Sequence, residues 1–287
     1  MVASWLANPQ ATRSVLKRYH QSCKHRLGQN FLVNDAVIKR ILEFADLQPD
    51  DVVLEVGPGI GTLSVALLPR ISRLVAIEAD SSLKPILTEN CKGFSDRLTF
   101  IWGDAIKLLC DARCAPTLEK PTKFVSNLPY QIAASIILKA LEEMPEMQRF
   151  VVMVQAEVAD RIQAHPATKA YGAYTAKLAL WGCVSGRFEV PASCFLPAPH
   201  VQSAVVRIER LQDKSLDEAQ KEATCAVIDA AFAQRRKTIK NSMSACGYSP
   251  ERLEDALRAC DIDAKRRAET LTTVEFIQLA RALKWQA

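Results

Sequence analysis

A chain of 287 residues is long enough for one large α/β domain and a smaller second domain. Apolar residues make up 49% and charged residues 24%, a balance that excludes a disordered chain. No apolar run of about 18 residues and no signal sequence occurs, so we expect a cytoplasmic protein with no membrane span. The nine cysteines include no pair at ligand spacing, so we expect reduced thiols and no metal site.

The net charge of +5 is concentrated at the N-terminus. Residues 1–34 contain no Asp or Glu, and the charge after residue 26 sums to zero. The basic residues of this arm are Arg13, Lys17, Arg18, Lys24 and Arg26. A basic arm before a neutral body is typical of a protein that binds a polyanion, although a solvated leader is an equal alternative.

Short β-branched runs alternate with helical periodicity from Asp51 onward for about a hundred residues, which predicts an α/β domain built on a doubly wound parallel sheet. Predicted helices are Asn34–Ala45, Gly61–Arg70, Ser81–Cys91, Gln131–Glu143 and Gln155–Ala164. Predicted strands are Asp51–Val56, Arg73–Glu78, Arg97–Trp102, Thr122–Ser126 and Arg149–Val154, followed after a proline-rich loop by Val201–Ile208. Only helical periodicity remains beyond Leu216, so we expect a basic extension at 1–27, an α/β domain at 28–209 and an all-helical domain at 210–287.

A glycine-rich turn follows the first predicted strand. Gly57, Gly59 and Gly61 have the spacing G-x-G-x-G, and any side chain there would obstruct a ligand at the N-terminus of the next helix. The dinucleotide fingerprint G-x-G-x-x-G is missed because Thr62 replaces its third glycine, which argues against NAD. A turn needed only for tight packing is the alternative.

Acidic residues at the ends of the next two strands favour a nucleoside ligand. Glu78 comes 21 residues after Gly57, where a carboxylate can accept hydrogen bonds from both ribose hydroxyls. Asp104 follows the third strand and could accept from an exocyclic adenine amine. An Asp in this position is also a common helix cap.

The tetrapeptide Asn127-Leu128-Pro129-Tyr130 ends the fourth predicted strand. An aryl amine such as adenine N6 is a poor nucleophile because its lone pair is delocalised into the ring. The side-chain oxygen of Asn127 and the carbonyl of Leu128 could accept its two hydrogens and hold the lone pair toward an incoming methyl group. Pro129 fixes the turn, and Tyr130 offers a ring on which a base can stack. Read alone, the tetrapeptide is also an ordinary turn.

From about Lys24 to the C-terminus the chain resembles the ribosomal RNA adenine N6,N6-dimethyltransferases of the bacterial KsgA type. The matching segments are Gly28-Gln29-Asn30-Phe31-Leu32, the glycine turn, Gly103-Asp104-Ala105, the tetrapeptide, Ala170-Tyr171-Gly172, Phe195-Leu196-Pro197-Ala198-Pro199-His200-Val201 and Gln234-Arg235-Arg236-Lys237-Thr238. The resemblance implies a Rossmann-like S-adenosylmethionine methyltransferase fold. It also implies dimethylation of two adjacent adenines in a hairpin loop near the 3′ end of small-subunit (16S) ribosomal RNA, coupled to biogenesis of that subunit. We expect the protein to act as a monomer on rRNA or a precursor of the small subunit.

The resemblance also implies roles for individual residues. Gln29, Asn30 and Leu32 would close the cofactor pocket, with Gly57 and Gly59 against the methionine part of S-adenosylmethionine. Glu78 would hold the ribose, Asp104 the cofactor adenine, and Asn127 would lie between cofactor and target. Tyr130 and Phe195 would stack on the two faces of the flipped target base.

The basic cluster Arg235, Arg236, Lys237 and Lys240 would bind rRNA phosphates if it lies on one helix face, and a solvated helix end is the alternative. Thr12–His20 is predicted to form a short basic helix that either binds RNA or packs.

Two rival functions stay open. One is a methyltransferase that acts on large-subunit rRNA and confers antibiotic resistance, against which the segment Gln234–Asn241 argues. The other is an RNA-binding assembly factor whose catalysis is vestigial, against which the intact site residues argue.

Overall fold

The computed structural model describes residues 2–22, 28–110, 120–212 and 215–284. The chain divides into two compact units, the first of Met1–Ala159 with Val184–Arg210 and the second of Asp160–Cys183 with Leu211–Ala287. The predicted start of the C-terminal domain at residue 210 lies one residue before the second segment of the second unit. The predicted α/β domain at 28–209 is wrong in two respects, because 160–183 belongs to the second unit and the N-terminal extension belongs to the first.

The predicted α/β alternation is confirmed. The strands are β1 (Phe31–Leu32), β2 (Val52–Val56), β3 (Arg73–Glu78), β4 (Leu98–Trp102), β5 (Lys123–Asn127), β6 (Arg149–Gln155), β7 (Gly182–Val190), β8 (Phe195–Leu196) and β9 (Ser203–Arg210). The helices up to residue 162 are α1 (Pro9–Arg18), α2 (Asp35–Ala45), α3 (Thr62–Leu67), α4 (Lys84–Asn90), α5 (Ala105–Cys110), α6 (Ala133–Glu143) and α7 (Ala156–Ile162).

The main sheet is Rossmann-like, with strand order β4-β3-β2-β5-β6-β9-β7. Strands β4, β3, β2, β5 and β6 are parallel, and β9 runs antiparallel to β6. Register aligns the strand ends, since Glu78 pairs with Trp102 and Asn127 pairs with Met153. The carboxyl ends of these five neighbouring strands therefore meet at one edge, where open α/β sheets bind ligands.

Burial on both faces explains why β2 and β3 are rich in apolar and β-branched residues. Val53, Leu54, Leu74 and Val75 are fully buried. Helix α2 begins at Asp35, one residue after the predicted start. Asn34 caps it, since its side-chain oxygen accepts from the backbone N–H groups of the first turn, and the helix buries its apolar face against the sheet. The site is therefore built on a rigid scaffold.

The N-terminal segment packs on the first unit. Asp35 accepts hydrogen bonds from the backbone N–H groups of Ala3 and Ser4, both at 2.9 Å. Leu6 is fully buried, and its carbonyl accepts a hydrogen bond from the Thr12 hydroxyl. Lys24 and Arg26 lie outside the described residues.

The second unit is helical apart from the first residues of β7. Its helices are α8 (Ala173–Leu178), α9 (Glu218–Phe232), α10 (Ile239–Ala245), α11 (Pro250–Ala259) and α12 (Thr273–Lys284). The Phe232 ring packs between the rings of Tyr171 and Phe276, at centroid distances of 6.1 and 5.9 Å. The Tyr171 hydroxyl donates to the carbonyl of Leu271 at 2.8 Å, which ties 160–183 to the C-terminal helices.

No helix in the described part of the chain is long and apolar enough to cross a membrane. Within the same ranges no cluster of three or more His, Cys, Asp or Glu side chains could hold a metal ion.

Candidate active site

A cavity of about 470 Å³ opens at the carboxyl edge of the sheet, within the first unit. This volume lies in the range of small-molecule and cofactor sites. The predicted residues that line it are Gln29, Asn30, Leu32, Gly57, Gly59, Glu78, Asp104, Asn127, Leu128 and Tyr130. The structure therefore brings every predicted cofactor residue to one cavity.

The glycine turn packs tightly against neighbouring protein atoms, which is the alternative raised from the sequence. Gly57 and Gly59 have φ values of +73° and +62°, which side chains rarely adopt. A Cβ on Gly57 would lie 3.0 Å from Pro129, and one on Gly59 would lie 3.1 Å from the Phe31 ring. Neighbouring protein atoms thus require these glycines, whether or not a ligand lies against the turn.

Glu78 is the last residue of β3 and forms one wall of the cavity. It is only 7% exposed, and its Oε2 accepts from the N–H of Gly59 at 3.1 Å while Oε1 accepts from the N–H of Asp80 at 2.9 Å. Burial raises the pKa of Glu78, and these backbone hydrogen bonds oppose the rise. A carboxylate has about four lone-pair sites, so Glu78 can accept from ribose hydroxyls while the backbone keeps it in place.

Asp80 is a site residue that the sequence analysis missed. Its Oδ2 accepts from the Gln29 amide at 2.9 Å, and its Oδ1 accepts from the Ser82 hydroxyl at 2.7 Å. Asp80 therefore holds Gln29 at the cavity and positions the backbone N–H that binds Glu78. Its place at the start of a short 3-10 turn, where it accepts from the N–H of Ser82, is the signal that could have indicated a fixed side chain.

Asn127 ends β5 with its side-chain amide held by another site residue. Its Nδ2 donates to the carbonyl of Asn30 at 3.4 Å, and the Asn30 amide donates to the carbonyl of Gly28 at 3.0 Å. With Nδ2 engaged, Oδ1 is the atom of Asn127 that can accept from a substrate amine. The N–H of Leu128 donates to the carbonyl of Met153 at 3.1 Å, which fixes the start of the tetrapeptide turn.

Tyr130 lies at the cavity with its hydroxyl anchored. The Tyr130 and Ser203 hydroxyl oxygens are 2.7 Å apart, and Ser203 is fully buried at the first residue of β9. Burial raises the pKa of Tyr130, so the phenol is neutral at physiological pH. Sequence reasoning missed Ser203 because it is 73 residues away in the chain.

Asp104 both lines the cavity and caps a helix. Its Oδ1 accepts from the backbone N–H groups of Ile106 at 3.0 Å and Lys107 at 3.5 Å, at the start of α5. The helix-cap alternative raised from the sequence is thus present. It does not conflict with binding a nucleobase, because the second carboxylate oxygen takes no part in the cap.

Glu55, two residues before Gly57, is a second carboxyl in the cavity wall. It is 1% exposed and accepts from the Ser64 hydroxyl at 2.6 Å. Burial raises its pKa to about 8, and the nearby Glu78 charge adds to the rise. Glu55 is therefore protonated over much of the physiological range.

Phe195 does not lie where the resemblance implied. Strand β8 pairs with β1, which places Phe195 opposite Leu32, and its ring is 4% exposed in the apolar core. It does not line the cavity. A stacking surface opposite Tyr130 is therefore not supplied by Phe195 in this structure.

The predicted basic helix face at residues 235–240 is also wrong. Residues 233–237 form turns, because α10 begins only after Thr238, whose hydroxyl caps it by accepting from the N–H of Asn241. Arg235 is engaged in the second unit by Glu269 at 3.0 Å and by the carbonyls of Lys169 and Tyr171. Lys240 pairs with Glu254 at 2.5 Å. Arg236 and Lys237 are exposed, with no ion pair among the described residues.

The site and sheet together define the class of protein. The cavity lies at the switch point of a Rossmann-like sheet, it is bounded by a G-x-G-x-G turn and the buried carboxylate of Glu78, and the Asn-Leu-Pro-Tyr turn opens onto it. This is an S-adenosylmethionine-dependent methyltransferase, and the cavity volume and the Glu78 acceptor fit that cofactor.

Comparison with known proteins identifies the family. Residues 20–284 match the family model described as ribosomal RNA adenine dimethylase, and the chain belongs to this family. It is 40% identical to the ribosomal RNA small subunit methyltransferase A of Clostridium acetobutylicum over 94% of this chain and 96% of the relative.

Solved structures show the same fold. A dimethyladenosine transferase from Plasmodium falciparum has a TM-score of 0.74 at 24% identity, covering 87% of this chain and 95% of that one. The 23S rRNA methyltransferase ErmE has a TM-score of 0.66 at 26% identity, covering 89% of this chain and all of that one (100%).

Proposed function

We propose that this protein transfers methyl groups from S-adenosylmethionine to adenine N6 in small-subunit ribosomal RNA, twice per nitrogen, and acts as a monomer on a precursor of the small subunit. The target would be two adjacent adenines in a hairpin loop near the 3′ end of the RNA. The observation that carries the proposal is a single cavity. Asn127 and Tyr130 line it together with the predicted cofactor residues Gly57, Gly59 and Glu78. The 40% identity to a small-subunit enzyme supports this substrate over large-subunit rRNA.

The chain's residues would position the amine. Oδ1 of Asn127 and the carbonyl of Leu128 accept the two N6 hydrogens, so the nitrogen lone pair is free to attack. Tyr130 stacks on the flipped base, whose extrusion is least costly from a loop. The bound cofactor supplies a methyl group on a positively charged sulfur. The N–C bond would form as the S–C bond breaks, the sulfur would leave as a neutral thioether, and the surplus proton of the amine would pass to water.

Alignment and hydrogen bonding carry this reaction, and no residue need act as a strong base. Asn127 is suited to alignment because the Asn30 carbonyl fixes the orientation of its amide. After one transfer the nitrogen keeps a single hydrogen, so one of the two acceptors loses its partner in the second step.

The experiment compares small and large subunits from cells that lack the modification. Purified protein with methyl-labelled S-adenosylmethionine should label small subunits, and nuclease digestion with mass spectrometry should find N6,N6-dimethyladenine at two adjacent positions. Labelling of large-subunit RNA instead would favour the resistance-type enzyme. Absence of cofactor binding in calorimetry would favour a vestigial assembly factor.

The RNA role of the second unit rests on Arg236 and Lys237. Replacing both with Ala should lower the slope of log affinity against log salt by about 1–2 units, because each lost phosphate contact releases fewer counterions. Arg235→Ala is not a clean probe, since it breaks hydrogen bonds inside the unit. If the double variant kept the wild-type salt slope, these two cations would be ordinary solvated side chains.

A further inference from the structure

Helix α1 separates apolar and basic residues onto opposite faces. Asn8 caps the helix by accepting from the N–H groups of Gln10 at 2.8 Å and Ala11 at 3.2 Å. Val15 and Leu16 are buried in a cluster with Leu6, Phe31, Ile60, Leu83, Ile86 and Leu87. The apolar face of α1 therefore packs against the first unit, which is one of the two roles that the sequence left open for this helix. The basic side chains lie on the surface.

The exposed face of α1 carries three cations, Arg13, Lys17 and Arg18. Among the described residues no carboxylate lies within salt-bridge distance of any of them, and residues 1–34 contain no acid at all. Arg13 and Lys17 are four residues apart, and such a like-charge pair destabilises a helix. Lys17 and Arg18 lie in the last turn, where the negative end of the helix dipole stabilises a positive charge. Arg13 lies in the middle of the helix, where the dipole gives no such stabilisation.

The same helix is attached to the wall of the cofactor cavity. Phe31 lines the cavity and packs with Val15 and Leu16 in one cluster. Just after α1, the Gln21 amide donates to the carbonyl of Ser82 at 3.3 Å, and Ser82 in turn binds Asp80. RNA bound to α1 would therefore be held directly by the first unit, which contains the cofactor cavity.

We propose that Arg13, Lys17 and Arg18 form a phosphate-binding face through which the catalytic unit holds its RNA substrate directly. Three unpaired cations on a rigidly anchored helix are complementary to an RNA backbone, and each contact would add to the salt dependence of binding. The inference rests on the proposed function for the identity of the RNA. With this face, each of the two units would contribute its own RNA-binding residues, α1 in the first unit and Arg236 and Lys237 in the second.

The test is the salt dependence of binding to unmethylated small subunits. The variant Arg13→Gln/Lys17→Gln/Arg18→Gln should lower the slope of log affinity against log salt by about 2–3 units, since about 0.7–0.9 counterions are released per phosphate contact. Its S-adenosylmethionine affinity and unfolding temperature should match the wild type, because the changed side chains are exposed.

Two controls separate a specific face from general charge. Arg13→Lys/Arg18→Lys keeps all three charges and should keep the slope. Gln at Lys120, Arg252 and Lys265 removes three exposed cations elsewhere and should change it little. A wild-type slope in the α1 variant, or an equal loss in the second control, would overturn the inference. If the triple variant misfolds, Arg13→Gln alone should lose about one unit.

Failure of the proposed function is distinguishable from failure of this inference. Wild-type methyl transfer to small subunits is measured first, and its absence rejects the function whatever α1 does. Normal transfer by the wild type, with an unchanged slope in the α1 variant, rejects only the inference.

Discussion

Replacing Glu78 with Gln tests the ribose-binding wall with the least damage to the fold. Glu78→Ala would leave the N–H groups of Gly59 and Asp80 without their acceptor at a site that is 7% exposed. Gln keeps the volume and one acceptor oxygen, but turns an –NH₂ group toward the other donor. A hydrogen bond to a charged group contributes about 1.5–3 kcal/mol, so S-adenosylmethionine affinity should fall roughly 10- to 150-fold.

Calorimetry with two ligands attributes this loss to the ribose. We expect wild-type protein to bind S-adenosylhomocysteine more tightly than its 2′-deoxy counterpart, because the 2′-deoxy ligand lacks one hydroxyl that could donate a hydrogen bond to the Glu78 carboxylate. In Glu78→Gln this discrimination should shrink, since both ligands meet a weaker acceptor. An unchanged discrimination ratio, or unchanged affinity for both ligands, would refute the assignment of Glu78.

Three further predictions concern the rest of the cavity. Asn127→Ala should slow single-turnover methyl transfer at least about a hundredfold while RNA affinity stays near the wild type, and an unchanged rate would remove Asn127 from the mechanism. Ser203→Ala and Tyr130→Phe should each lower the transfer rate roughly ten- to a hundredfold with cofactor affinity unchanged, and the double variant should be no worse than either, because both break one hydrogen bond; additive losses would contradict this. The protonated form of Glu55 stabilises the fold below its usual pKa of 4.5, and this stabilisation is lost as the pH rises through about 8. Between about pH 5 and about pH 9, the Tm measured without cofactor should therefore fall less in Glu55→Gln than in the wild type. Parallel curves of Tm against pH for the two proteins would show that Glu55 does not titrate in this range.

The sequence predicted the parallel sheet because strands buried on both faces are rich in apolar and β-branched residues, as in β2 and β3. It missed β7, whose segment Gly182–Val190 contains two glycines and alternates irregularly between buried and exposed positions. It also missed β1 and β8, which are two residues long and exist only because they pair with each other. Strands of this kind are specified by tertiary contacts that lie far apart in the chain.

The strand-end residues of the cavity, Gly57, Glu78, Asp104 and Asn127, could be predicted because register brings strand ends together. Gln29, Asn30 and Leu32 were predicted from the family resemblance alone. Asp80 and Ser203 could not be predicted, since each acts on a site residue through a side-chain contact that no local pattern encodes. The basic cluster was misplaced on a helix because the Thr238 cap was not recognised and because the partner of Arg235, Glu269, is 34 residues away. Phe195 was misplaced because its motif says nothing of the pairing of β8 with β1.

The route of the chain through its two units bears on how the protein emerges during synthesis. Tyr171 binds the carbonyl of a residue 100 positions later, and Phe232 and Phe276 complete its surroundings. Ribosomes add about 5–20 residues per second, so Tyr171 in a nascent chain would lack these partners for roughly 5–20 s. A truncated protein that ends at residue 210 would never acquire them, so an isolated catalytic fragment should be made without residues 160–183, with a short linker in their place.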